Sequence, residues 1–253
     1  MTETDLAKRV LAGETRAIAR LMSKVEGRPD QVAAEMAEIH RHAGLAHVIG
    51  ITGVPGCGKS TLVHALAKAF RSANQKVGVV AVDPSSPYSG GAILGDRVRM
   101  ADLATDDGVF IRSLATRGAL GGLARAALDT VEILDAAGFD IVMIETVGVG
   151  QDEVDIAEAA DTVIVVSAPG LGDGIQAIKA GVLEIADLHV VSKCDKEEAS
   201  RTVADLKGML SLGGGAREKF GWQVSVLRTS AETGLGIADL ASAIEDHRRH
   251  LET

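Results

Sequence analysis

The chain has 253 residues, of which 46 % are hydrophobic and only 2 % aromatic, so its core must be built from Ala, Val, Leu and Ile, as in buried parallel sheets rather than aromatic-rich β-sandwiches. A net charge of −9 argues against a nucleic-acid or anionic-membrane surface, and two cysteines far apart, Cys57 and Cys194, argue against a disulfide framework. An acidic start, Met1-Thr2-Glu3-Thr4-Asp5, and the absence of any apolar run of membrane-spanning length read as a cytoplasmic protein of one α/β domain with a modest appendage.

Residues 5–43 carry apolar side chains at helical spacing, interrupted at Ala12-Gly13-Glu14-Thr15 and Gly27-Arg28-Pro29-Asp30. The pattern predicts short helices forming an extension over 1–44, followed by a second domain over 45–253. His40, His42 and His47 read as a helix end and a strand entry, because neither cysteine nor carboxylate completes a metal set.

Ala46 to Thr52 predicts a strand and Leu62 to Phe70 a helix, and between them stands Gly53-Val54-Pro55-Gly56-Cys57-Gly58-Lys59-Ser60-Thr61. This is the phosphate-binding loop pattern of Gly, four free positions, Gly, Lys and Ser/Thr. Its glycines let consecutive N–H groups turn toward phosphate oxygens, and the following helix adds the positive end of its dipole. Lys59 is expected at the β- and γ-phosphates and Ser60 on Mg²⁺.

Lys76 to Val82 predicts the second strand, which ends in Asp83-Pro84-Ser85-Ser86. An acid at the carboxyl end of a parallel strand points to the ligand crevice, so Asp83 is a candidate for Mg²⁺ or the attacking water. Asp96, after a glycine-rich segment, is a further metal candidate or a helix cap. Strands follow at 108–113 and 140–144, with a helix from Leu123 to Ala136 between them. The second strand delivers Glu145-Thr146-Val147-Gly148-Val149-Gly150-Gln151, where Glu145 fills the magnesium-shell position and Gly148 that of the γ-phosphate sensor. Val149 stands where Ras-like enzymes carry their water-positioning Gln, so unassisted hydrolysis is expected to be slow.

Asp161 to Ser167 and Leu188 to Val191 predict two more strands, the latter leading into Ser192-Lys193-Cys194-Asp195. GTPases carry Asn-Lys-x-Asp here. An Asp carboxylate accepts the ring N1–H and the exocyclic amine of guanine, whereas adenine offers no donor at the equivalent ring nitrogen. Ser192 in place of Asn is expected to weaken binding while keeping the guanine preference. Lys196 to Leu212 predicts a helix, Gln223 to Thr229 the last strand, and Ser230-Ala231-Glu232 matches a segment whose backbone N–H meets the guanine oxygen. The final helix runs from about Ile237 toward His250, with His247 and His250 read as a solvated face.

Together these residues resemble the MeaB/ArgK/MMAA family of P-loop GTPases, which assist adenosylcobalamin-dependent acyl-CoA mutases such as methylmalonyl-CoA mutase. The resemblance covers almost the whole chain and rests on the N-terminal helices, Gly53 to Thr61, Asp83 to Ser86, Gly95 to Met100, Glu145 to Gln151 and Pro169 to Lys179. It implies a mostly parallel central sheet flanked by helices, GTP or GDP with Mg²⁺ as ligands, and nucleotide-gated cofactor delivery and protection of the mutase. It implies that Ser60, Asp83, Asp96 and Glu145 surround the metal and the water, that Lys59, Asp83 and Glu145 serve catalysis, and that Lys179 belongs to a third switch. The chain stops at Thr253 without the C-terminal arm that longer members use to dimerise, so a monomer or weak homodimer is expected. Two other classes share parts of this pattern. A metallocentre-insertion GTPase would bring Cys or His ligands near the switches, and a P-loop kinase would not need Asp195 or Ser230-Ala231.

Overall fold

The computed structural model describes residues 3–83, 100–115, 122–146, 159–170, 185–212, 218–219 and 221–253. The N-terminal periodicity folds as α1 (Glu3–Leu11), α2 (Thr15–Gly27), a 3-10 turn at Pro29–Val32 and α3 (Ala33–His40). Pro29 opens the 3-10 turn, where its missing N–H leaves no bond unmade. Then come β1 (His47–Gly53), α4 (Lys59–Ser72), β2 (Val77–Asp83), β3 (Val109–Ala115), α5 (Gly122–Ala136) and β4 (Ile141–Glu145). The remainder holds β5 (Thr162–Ser167), β6 (Leu188–Val191), α6 (Ala199–Leu212), a short hairpin of β7 (Glu218–Lys219) and β8 (Trp222–Gln223), β9 (Ser225–Arg228) and α7 (Ile237–Leu251).

Seven strands form one mostly parallel sheet in the order β3-β2-β4-β1-β5-β6-β9. Strands β4, β5 and β6 are buried over their whole length, which is why they read as unbroken apolar runs rather than as alternation. The expected last strand differs: its first residue, Gln223, belongs to the β7–β8 hairpin, and only Ser225–Arg228 joins the sheet. The helix expected from Lys196 begins at Ala199, after a turn.

Residues 1–48 with 71–143 form one compact unit, and 49–70 with 144–253 a second. In the first, α1 packs on both α2 and α3, and α2 and α3 lie against α5, which covers β2. Val10, Ile18, Leu21, Met22 and Ile39 are fully buried there, so the apolar stripes of the N-terminal helices find the partner they need. The Arg112 guanidinium on β3 donates to Glu26 of α2 at 2.8 Å, and Arg71 makes a paired hydrogen bond to Asp106 at 2.9 Å. His40 meets Glu132 at 3.0 Å, and His47 is buried at the start of β1 rather than solvent-facing.

The entry to β1 is held by one side chain. The buried Asp135 carboxylate of α5 accepts backbone N–H groups from Gly44, Leu45 and Ala46, the last at 2.9 Å. Three consecutive donors lose their acceptor together in Asp135→Ala. The variant is expected to lose about 2–3 kcal/mol of stability, read as a lower urea midpoint at unchanged slope; a midpoint like that of the wild type would show that water replaces the carboxylate.

In the second unit α6 packs on β6 and β9 through Leu206, Val203 and Val191, and α7 lies against β5. A 2.7 Å hydrogen bond joins Thr162 Oγ1 to His247 Nδ1, and the His247 ring meets Trp222 edge-on at 4.7 Å between centroids. His247 is therefore core, not part of a solvated face: the β7–β8 hairpin, which the sequence reading did not anticipate, lays Trp222 against it. The indole Nε1 donates to the Asp187 carbonyl at 2.9 Å.

Candidate nucleotide-binding site

Strands β1, β5, β6 and β9 run parallel in register, so Gly53, Ser167, Val191 and Arg228 end on one edge, where ligands meet parallel sheets. The loop from Gly53 to Gly58 leaves β1 there and enters α4 at Lys59. Its glycines take positive φ: Gly53 at 141°, Gly56 at 78° and Gly58 at 97°. Gly53 carries a second constraint, since a Cβ there would stand 2.1 Å from the Val166 carbonyl oxygen of β5. Nothing lies within 4 Å of the corresponding point on Gly56, so the loop is open where a phosphate oxygen needs close approach to backbone.

Lys59 is buried, and its Nζ donates to the carbonyls of Gly53 at 2.7 Å and Val54 at 3.3 Å, which holds the ammonium over the loop. Cys57 is fully buried and burial pushes its thiol up, making it a packing residue rather than a nucleophile. The Ser60 hydroxyl donates to Glu145 Oε1 at 2.7 Å, although 85 residues separate them. Glu145, the last residue of β4, is buried. A hydroxyl and a carboxylate side by side at a phosphate loop are hard oxygen donors, and this set fits Mg²⁺.

The base motif follows β6. Ser192 is buried, and its Oγ donates to the carbonyl of Cys57 and lies 3.1 Å from that of Ser167. The hydroxyl that stands where GTPases carry Asn thus bonds to the phosphate loop. Lys193 adopts a left-handed backbone, φ 54°, and its Nζ donates to the Gly56 carbonyl at 2.7 Å. Asp195 is exposed, and the Ser230 hydroxyl first, then its own backbone N–H and the nearby Lys196 and Lys193, hold its carboxyl below the usual range. It stays ionised as a double acceptor. Ser230 N–H is engaged by the Leu235 carbonyl at 2.9 Å.

Ser192, Lys193 and Asp195 share one cleft of about 260 Å³ with Gly58 and Thr61 of the phosphate loop and with Ser230, Ala231 and Glu232. Asp83 is the last residue of β2, level with Ala115 of β3; its side chain lies outside the described residues, as do Asp96, Gly148, Val149, Gln151 and Lys179 entirely. Lys193 was legible in the sequence as part of the base motif, but its bridge to the Gly56 carbonyl, 137 positions away, was not. Thr52 and Thr146, whose hydroxyls lie 3.2 Å apart, are ordinary strand residues by composition.

The family model described as methylmalonyl Co-A mutase-associated GTPase MeaB matches residues 17–253. The chain belongs to the MeaB family of GTPases. A Pyrococcus horikoshii protein named as a GTPase is 49 % identical over 98 % of this chain and 78 % of its own. Escherichia coli GTPase ArgK is 38 % identical over 99 % of this chain and 77 % of its own. Among solved structures, that of a LAO/AO transport system kinase has a TM-score of 0.81 and 32 % identity, covering 99 % of this MeaB-family chain and 76 % of that one. The family is one of guanine-nucleotide enzymes, which agrees with a base motif built on Asp195. Among the described residues no helix is long and apolar enough to cross a membrane.

Proposed function

We propose that this MeaB-family GTPase is the nucleotide-gated chaperone of an adenosylcobalamin-dependent acyl-CoA mutase of the methylmalonyl-CoA type. The family description, with its mutase association, supports the partner. The single observation that carries the nucleotide half is the cleft in which the phosphate loop and Asp195 converge. In this reading loop N–H groups and Lys59 bind the β- and γ-phosphates, Asp195 accepts the guanine N1–H and amine, and Ala231 N–H meets the guanine oxygen. Ser60 and Glu145 hold Mg²⁺, with Asp83 and Asp96 beside them by family likeness; the ion, when bound, supplies charge neutralisation on the phosphates. Asp83 and Glu145 share the orienting of water, incompletely, because Val149 occupies the position after Gly148.

Turnover by the chain alone is therefore slow, and the cognate mutase accelerates it by ordering loops around the γ-phosphate. Reciprocity requires the mutase to bind the GTP and GDP states with different affinity. The assay is GTP turnover with and without an acyl-CoA mutase from the same source; a rise on the order of tenfold or more is expected. A rate indifferent to every such mutase would defeat the chaperone role and leave the GTPase assignment standing.

A further inference from the structure

Three hydrogen bonds end on residues that adjoin one another in sequence. Thr146 Oγ1 donates to Thr52 Oγ1 at 3.2 Å, Lys59 Nζ to the carbonyl of Gly53 at 2.7 Å, and Ser60 Oγ to Glu145 Oε1 at 2.7 Å. Read along the chain they close on themselves: 52 and 53 are joined to 59 and 60, these to 145, and 146 back to 52. Thr52 is fully buried and Thr146 nearly so, and Thr146 N–H continues the ladder to the Ile51 carbonyl at 3.2 Å. The hydroxyl pair thus sits where neither substrate nor solvent reaches it. Its effect passes to the groups beside it, the first glycine of the phosphate loop and the carboxylate facing Ser60.

We propose that Thr146, through its hydroxyl bond to Thr52, is a positioning residue for the Mg²⁺-binding pair Ser60 and Glu145. The inference rests on the reading above that these two hold the ion. An octahedral ion with short oxygen bonds tolerates little misplacement of its ligands, so a carboxylate freed to shift loses affinity for the metal before it loses fold. Because their end residues adjoin along the backbone, freeing one of these pairs relaxes the placement of its neighbours. Backbone pairing alone fixes the height of Glu145 on the sheet. The buried hydroxyls fix its lateral setting against the loop.

Thr146→Val keeps the shape and β preference of the side chain and deletes the bond. The probe is a fluorescent GDP analogue, whose equilibrium affinity is measured across a Mg²⁺ titration and again in excess chelator. Thr146→Val is expected to raise the Mg²⁺ concentration for half-maximal tightening about three- to tenfold, the worth of one net hydrogen bond. Affinity in chelator should not change. Thr146→Ser, which restores the hydroxyl, should return the Mg²⁺ requirement to the wild-type value. Thr52→Val cuts the same bond from the other side and should match Thr146→Val, with no further shift in the double variant; it also serves if Thr146→Val fails to fold. An unshifted Mg²⁺ requirement in both valine variants, or an equal loss of affinity in chelator, overturns the positioning role. Glu145→Gln separates this from the underlying assignment: if it too leaves the Mg²⁺ requirement unmoved, the metal reading itself falls.

Discussion

Asp195→Asn is expected to weaken GTP binding on the order of a hundredfold and to admit xanthine nucleotides in exchange. In the proposed site the carboxylate would accept two charge-assisted hydrogen bonds from the guanine edge; the amide of asparagine would turn one acceptor into a donor that faces a donor. Xanthine carries an oxygen where guanine carries its amine, so the same amide finds an acceptor there. The Ser230 hydroxyl, the largest influence on Asp195, lowers its carboxyl pKa, so the charged form persists to lower pH than in an unperturbed carboxylate. Guanine binding that depends on this charge is present above the lowered pKa and lost only when the pH drops below it. Ser230→Ala removes the main cause and should move that loss to higher pH. Equilibrium titrations with guanine, xanthine and adenine nucleotides between neutral and acid pH read both effects. Equal affinity of the wild type for GTP and ATP would overturn the role of Asp195.

Gly53→Ala should be the most damaging single methyl in the site, at about 4 kcal/mol or more, because the strain is in backbone on both sides. At φ 141° an L-residue is strained before any contact is considered, and the new Cβ would lie 2.1 Å from the Val166 carbonyl in the adjacent strand. That oxygen cannot swing away without breaking the parallel ladder of β1 with β5, which pairs Gly53 with Val166. Gly56→Ala is the control. It shares the positive φ, at 78°, but meets open space, so only the conformational cost of about 1–2 kcal/mol remains. Urea midpoints of the two variants, with nucleotide affinity beside them, test the contrast. If both cost the same, the close approach to Val166 relaxes easily and the argument fails.

The parts of this fold that were legible in the sequence are those written in local spacing. The β1–loop–α4 unit follows from a short branched run, a glycine pattern and a helical stripe, all within about 25 residues, and its elements fall where they were expected. Glu145 was found because a buried apolar strand ending in an acid is a local signal. What escaped was written across distance. Asp135 gripping Gly44 to Ala46 spans some 90 positions, and Thr52 meets Thr146 across 94. His247 looked solvated since charged residues flank it, Asp246 before and Arg248 after, and only the packing of Trp222 reveals that its face turns inward. The Ser192 departure was visible at once, but its meaning was not: whether a shorter side chain still reaches the loop depends on how closely strand and loop approach, and here the hydroxyl reaches the Cys57 carbonyl.

Trp222 is the chain's one tryptophan, with its ring against His247 and, at 5.6 Å between centroids, His250, both on α7. Nature has thereby installed a local optical gauge. Indole emission answers to the packing around Trp222, between the β7–β8 hairpin, the Asp187 carbonyl and the last helix, whereas far-ultraviolet dichroism averages every helix in the chain. A denaturant series in which the two signals change together describes one cooperative transition. A series in which emission moves first dates the loosening of the β7–β8 hairpin from α7, and does so without any attached dye.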